Sequence, residues 1–185
     1  SATSESTTNG SDVWGATYKT VSTTYFDNIE HNRPLQTLVK AATTGTNLFG
    51  ENYSTTSVTT YKYYKEDRGP VGVLGEIRSA SSYSTTNGWD IWGATYKTVS
   101  TTYFDNIEHN RPLQTLVRAT TIGENLFGEH YTTTSITSYR YYDGQTGPKK
   151  VLGEIRHASS YSTTKGWDVW GATYKTISTT SFAME

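Results

Sequence analysis

The chain has 185 residues and a formal net charge of -1, from 16 Lys+Arg against 17 Asp+Glu, and it contains no cysteine. The lack of cysteine excludes disulfide scaffolds, Cys-ligated zinc and thiol catalysis. The balanced charge gives no basic footprint for nucleic acid, and no apolar run reaches the roughly 20 residues of a membrane-spanning helix. Hydrophobic residues make up 34% of the chain and aromatic residues 14%, so rings with polar edges must supply much of any core or binding surface.

A tandem repeat of 78 residues organises the chain. The segment Trp-Gly-Ala-Thr-Tyr-Lys-Thr begins at Trp14, Trp92 and Trp170, with no insertion or deletion between these positions. Self-similarity of this kind indicates a repeat architecture. We therefore divide the chain into repeat units 1–78 and 79–156 and a partial third unit, 157–185, and we expect all three to form one continuous β domain.

Substitutions between the first two units fall on alternate residues in three segments, near 3–13, 40–46 and 52–62. This alternation is typical of a strand whose two faces meet different environments, and the abundance of Thr, Tyr, Val and Ile agrees with it. In the first unit the pattern predicts strands near 1–8, 11–26, 35–44 and 47–64. Two-residue hairpin turns are predicted at Asn9-Gly10, Asn87-Gly88 and Lys165-Gly166. The differing pairs include Ser11/Trp89, Lys40/Arg118, Thr44/Ile122, Thr46/Glu124, Asn52/His130 and Val58/Ile136.

The predicted fold is all-β, an antiparallel meander of about ten long strands built from two tandem repeats and a partial third. Such a meander closes into a barrel, folds over into a sandwich or remains an extended sheet. A closed barrel or sandwich is favoured over the extended sheet.

The first candidate site combines aromatic and acidic residues that recur after a predicted turn. A sugar is recognised by an aromatic face, which meets its C–H groups, and by fixed amides or carboxylates, which bind its hydroxyls. An alternative is that Trp92 and its equivalents belong to a core, whereas Trp89 lies on the opposite strand face and is the ring expected to be exposed. The predicted ligand-binding residues are Trp89, Asp90, Trp92 and Tyr96, with Trp167, Asp168, Trp170 and Tyr174 in the third unit.

The second candidate site is a polar segment, 27–34, that recurs unchanged at 105–112. Loops ordinarily diverge faster than strands, so this identity favours a binding role. Recent duplication, or a packed loop in which Arg33 pairs with Glu30, would also explain it. The predicted ligand-binding residues are Asp27, Asn28, Glu30, His31, Asn32 and Arg33, and their repeats Asp105, Asn106, Glu108, His109, Asn110 and Arg111.

No catalytic signature is present in the sequence. A Gly-x-Ser-x-Gly motif is missing, and the glycines near 144–147 lack the spacing of a phosphate-binding loop. His31 and His109 are each isolated within their units, so no metal site and no cofactor are expected. We interpret the chain as a non-enzyme.

These features predict a multivalent, lectin-like protein that binds glycans or glycoproteins at repeated sites. The alternative is a secreted structural or adhesive β-repeat protein that self-assembles through its sheets into a homo-oligomer or filament. Neither hypothesis involves nucleic acid or a membrane span. Low charge and abundant Ser, Thr and Tyr favour a secreted or cell-surface location.

Overall fold

A computed structural model describes residues 1–30, 33–66, 73–108, 111–142 and 153–183. Ten strands form one sheet in chain order, and each is antiparallel to its neighbours. The predicted all-β meander is therefore confirmed. The strands are β1 (Ala2–Ser11), β2 (Thr17–Glu30), β3 (Arg33–Thr46), β4 (Asn52–Tyr63), β5 (Ile77–Trp89), β6 (Thr95–Glu108), β7 (Arg111–Glu124), β8 (His130–Tyr141), β9 (Ile155–Trp167) and β10 (Thr173–Ala183).

The sheet is open. β1 pairs only with β2 and β10 only with β9, so the favoured closed barrel or sandwich is not confirmed and the extended alternative describes the chain. The accessible surface is 12253 Å², against about 8,900 Å² expected for a compact protein of this mass. Among the described residues only Ala80 and Tyr142 are buried apolar side chains. Closure needs a continuous apolar face to bury, and polar residues, many of them Ser and Thr, interrupt the apolar residues on both faces of this sheet.

The two faces of the sheet differ in exposure and in sequence. On β4, Thr55, Ser57 and Thr59 are half-buried, whereas Thr56, Val58 and Thr60 are exposed. We call the first side the threonine face, because every strand contributes one Thr to a row that crosses it, and the second side the variable face. Within the strands, the substitutions between the first two repeat units fall on the variable face, as their period of two predicts. The threonine row consists of Thr8, Thr20, Thr43, Thr55, Thr86, Thr98, Thr121, Thr133, Thr164 and Thr176.

A second row on the threonine face alternates glycine and tyrosine. Each tyrosine ring lies over the glycine of the preceding strand, and a Cβ on that glycine would be 2.3–2.5 Å from the nearest ring or hydroxyl atom. The predicted two-residue turns are therefore wrong, because their glycines lie inside strands, where the rings need a residue without a side chain. The row consists of Gly10, Tyr18, Gly45, Tyr53, Gly88, Tyr96, Gly123, Tyr131, Gly166 and Tyr174.

Candidate functional site

Five five-residue turns at one end of the sheet share one hydrogen-bond arrangement. In the turn between β5 and β6, the Asp90 Oδ1 accepts hydrogen bonds from the backbone N–H groups of Trp92 (2.9 Å) and Ala94 (2.8 Å). The glycine before the last turn residue has a positive φ, 98° at Gly93. The predicted site residues Asp90 and Asp168 thus each use one carboxylate oxygen to hold a turn. The five acceptors are Asp12, Asn47, Asp90, Asn125 and Asp168.

The tip of each of these turns carries an exposed aliphatic residue followed by an exposed ring. Trp92 is 65% exposed and Trp170 is 88% exposed, so these residues do not belong to a core. Together the tips form an apolar crest along this end of the sheet. The crest consists of Val13, Trp14, Leu48, Phe49, Ile91, Trp92, Leu126, Phe127, Val169 and Trp170.

The structure separates the aromatic residues that the sequence had grouped. Trp89 lies on the variable face, Trp92 lies at a turn tip, and Tyr96 lies on the threonine face against Gly88. The same division applies to the third unit, where Tyr174 covers Gly166. A strand alternates its side chains and a turn redirects them, so these rings point in different directions. Trp89, Asp90 and Tyr96 nevertheless all line one small hollow of about 160 Å³, and Trp92 does not.

A shallow groove on the variable face brings together residues from four strands. Trp89, Thr95, Glu124 and His130 follow one another across β5, β6, β7 and β8. Between Trp89 and His130 lies a hollow of about 400 Å³, also lined by Asn87, Lys97 and Ile122. This volume lies within the usual range for small-ligand sites. We call it the Trp89–His130 groove.

His130, at the far wall of the groove, stacks on Trp167 of the next strand. His130 and Trp167 have ring centroids 5.2 Å apart and planes inclined at 28°. The His130 Nδ1 also lies 3.6 Å from the Glu124 Oε2. Both side chains of this contact are about half exposed, so it contributes little to stability.

Four of the substitutions between the repeat units converge on the groove. Trp89, Ile122, Glu124 and His130 line it, and the first unit has smaller or uncharged residues at all four positions. The corresponding surface of the first unit therefore has the same backbone pairing, with Ser11 in place of Trp89 and Asn52 in place of His130. Sequence reasoning had noted these substitutions one by one, but their convergence depends on the strand register. The first-unit counterparts are Ser11, Thr44, Thr46 and Asn52.

The second candidate site is mostly strand rather than loop, because β2 extends to Glu30 and β3 begins at Arg33. Asp27 and Asp105 have equivalent contacts: their Oδ2 atoms accept hydrogen bonds from the Thr37 hydroxyl (3.2 Å) and the Thr115 hydroxyl (3.1 Å). Each contact lies next to a register shift between β2 and β3 or between β6 and β7, so both aspartates support a bulge.

Other members of the second candidate site are only partly placed. His31, Asn32, His109 and Asn110 lie outside the described residues. The backbones of Glu30 and Arg33 are in register, as are those of their repeats. Nothing is described of the side chains of Asn28, Glu30, Arg33, Asn106, Glu108 and Arg111.

Within the described ranges, no three acidic or histidine side chains come close enough to hold a metal ion. In the same ranges, no helix has the length and apolar character needed to cross a bilayer. Comparison of the chain with protein families, with curated proteins and with solved structures finds no match.

Proposed function

We propose that this protein binds carbohydrate in the Trp89–His130 groove. The observation that carries the proposal is the convergence of an aromatic wall, an imidazole, a carboxylate, an amide and an ammonium group on one hollow of about 400 Å³. A pyranose has an apolar C–H face and a rim of hydroxyls, and it needs both kinds of partner at once.

The groove supplies these partners from opposite sides. The Trp89 side chain is 45% exposed, which leaves part of its indole free to pack against sugar C–H groups. The polar side chains of Asn87, Lys97 and Glu124 line the groove. The Asn87 amide donates and accepts hydrogen bonds, the Lys97 ammonium group donates them, and the Glu124 carboxylate accepts them. One positive and one negative side chain favour a neutral polyhydroxylated ligand over a strongly charged one.

This proposal places one complete groove in the described chain rather than equivalent sites in each repeat unit. The first unit has the same strand pairing, but Ser11 and Asn52 stand where Trp89 and His130 stand in the second. We also propose a secreted or cell-surface location, because the composition favours it and glycan binding is consistent with it.

Saturation-transfer NMR with a panel of neutral hexoses and N-acetylhexosamines tests the proposal. We expect transfer from aromatic protons to the C–H protons of at least one sugar, and loss of at least nine-tenths of it in the Trp89→Ser/His130→Asn variant. The first unit has Ser and Asn at these positions on a matching backbone, so the variant is expected to fold.

Two further variants sharpen this test. Trp14→Ser removes an exposed crest ring away from the groove and should leave the signal unchanged. The triple variant Ser11→Trp/Thr46→Glu/Asn52→His copies the second-unit side chains into the first unit and should add signal. No transfer from any sugar, or transfer that survives loss of Trp89 and His130, would contradict the proposal.

A further inference from the structure

We infer that separate copies of this chain join end to end, with β10 of one copy pairing with β1 of the next in a continuous antiparallel sheet. The partner is a second copy of the chain. This inference goes beyond glycan binding, and it involves the two edge strands rather than the Trp89–His130 groove.

Both edge strands have few of the features that normally prevent strand pairing. β1 and β10 contain no proline, and neither shows a register shift against its neighbour. Each carries a single charged side chain, Glu5 on β1 and Lys175 on β10. All described residues of β10 are exposed, as are all but one of β1. Long, regular edges of this kind are templates for a further strand.

The topology sets the polarity of the joint. Consecutive strands are antiparallel and the sheet has ten of them, so β10 runs opposite to β1. A further copy that continues the sheet thus meets β10 through the antiparallel ladder found everywhere inside the chain. Two different edges meet in this joint, so it is heterologous and repeats without closing.

The side chains of the two edges match an internal strand pair. If Tyr174 stands opposite Gly10 of the next copy, Thr176 falls opposite Thr8 and Thr180 opposite Ser4. The pairing of β4 with β5 has the same residue types in the same order, and so does the pairing of β8 with β9. The matching β4–β5 pairs are Tyr53/Gly88, Thr55/Thr86 and Thr59/Ser82.

The threonine row gives a second reason for this register. Its hydroxyls are hydrogen-bonded in pairs across alternate strand boundaries, such as Thr55 with Thr86 at 2.9 Å, and four such pairs occupy eight of its ten members. Among the described residues, Thr8 and Thr176 are the two members without a partner. The next boundary in the alternation is β10 with β1 of a second copy, where these two hydroxyls would meet.

Sedimentation velocity and negative-stain microscopy of the 185-residue chain over a concentration series test the inference. We expect a ladder of species that lengthens with concentration. A monomer at every concentration would overturn the inference. Growth that stops at a dimer would also overturn it, because a dimer indicates pairing of two like edges.

A charge pair tests the register. Thr7 and Ile177 are exposed on the variable face, and they stand directly opposite each other only in the proposed joint. Thr7→Lys/Ile177→Lys should shift assembly to at least tenfold higher concentration at low ionic strength, because like charges directly across a ladder repel. Thr7→Glu/Ile177→Lys should restore it. Equal assembly by the two variants would overturn the register, and sugar binding in the groove is expected to be the same in both.

Discussion

The phenol ring of Tyr96 lies over the backbone of Gly88 on the neighbouring strand, where a Cβ would be 2.3 Å from the ring carbons. The same relationship recurs on every second strand boundary of the sheet. With only two buried apolar side chains among the described residues, cross-strand contacts of this kind take the place of a core. The ring shields the glycine backbone from water, and the glycine gives the ring a flat surface.

Gly88→Ala should lower the free energy of unfolding by about 1–3 kcal/mol, the usual cost of overpacking, because the new methyl group displaces the Tyr96 ring. In a Tyr96→Ala background the same substitution should be neutral or stabilising, because alanine suits a strand better than glycine does. Urea unfolding of the four proteins in this cycle measures both effects. A cost that persists without the Tyr96 ring would show that the ring contact is not its cause.

Asn47→Ala should destabilise the turn between β3 and β4. The Asn47 Oδ1 accepts hydrogen bonds from the N–H groups of Phe49 (2.9 Å) and Glu51 (3.1 Å), and water replaces it imperfectly, so we expect a loss of about 1 kcal/mol. The Asn47 amide also donates a hydrogen bond to the Glu51 carboxylate, so the matched control is Asn47→Asp/Glu51→Ala, which reproduces the turn from Asp12 to Ala16. Thermal unfolding measures both variants, and an equal loss in the two would contradict this role for the side-chain oxygen.

Two tyrosines at the other end of the sheet make the free energy of unfolding depend on pH in the alkaline range. The Tyr63 hydroxyl donates a hydrogen bond to the Gln36 carbonyl, and the Tyr141 hydroxyl donates one to the Gln114 carbonyl. Burial raises the pKa of Tyr63 above the ordinary value of 10.0, and nearby Tyr61 raises it further. Burial raises the pKa of Tyr141 in the same way, with a smaller contribution from Tyr139.

The folded state therefore holds these two protons more tightly than the unfolded state does. Their contribution to stability is complete below about pH 10 and is lost as the pH rises through the folded-state values. Urea unfolding from pH 8 to pH 12 should show this decline, and Tyr63→Phe/Tyr141→Phe should make it less steep. If stability declines as steeply in the double variant as in the parent, other groups cause the decline.

Replacing the crest tryptophans should leave stability almost unchanged. Trp14, Trp92 and Trp170 are between 65% and 88% exposed, so we expect the triple serine variant to unfold within about 0.5 kcal/mol of the parent. Acrylamide should quench the remaining fluorescence, from Trp89 and Trp167, less efficiently than it quenches the parent. A large loss of stability would show that the rings are packed rather than displayed.

Some of the candidate site could be read from the sequence and some could not. Trp89 was predicted to be more exposed than Trp92, but Trp89 is 45% exposed and Trp92 is 65% exposed, so the predicted order is wrong. Glu124 and His130 were visible only as substitutions between repeat units. Their position beside Trp89 depends on the register of β5 to β8, which no local pattern in a single sequence specifies.

The positions of the turns also could not be predicted from the local sequence. Asn9-Gly10 has the composition of a hairpin turn, but the chain turns at 12–16 instead. The Asp12 carboxylate holds that turn, and Gly10 remains in the strand beneath the Tyr18 ring. A glycine fits a tight turn and a strand position beneath a ring equally well, so contacts with the next strand decide where it lies.

The sequence by itself indicated the number of strands, their alternation and the antiparallel order, because side chains of period two and short connections are local properties. It placed two strands too early: β2 begins at Thr17 rather than near residue 11, and β4 begins at Asn52 rather than near residue 47. Whether the sheet would close, and which residues would meet across it, was decided only in the tertiary structure. Closure depends on the total apolar area that a face offers for burial, and this sheet offers Ser and Thr instead. The aromatic residues therefore include five tyrosines over glycines, five rings of the exposed crest, and Trp89 and Trp167 at the groove.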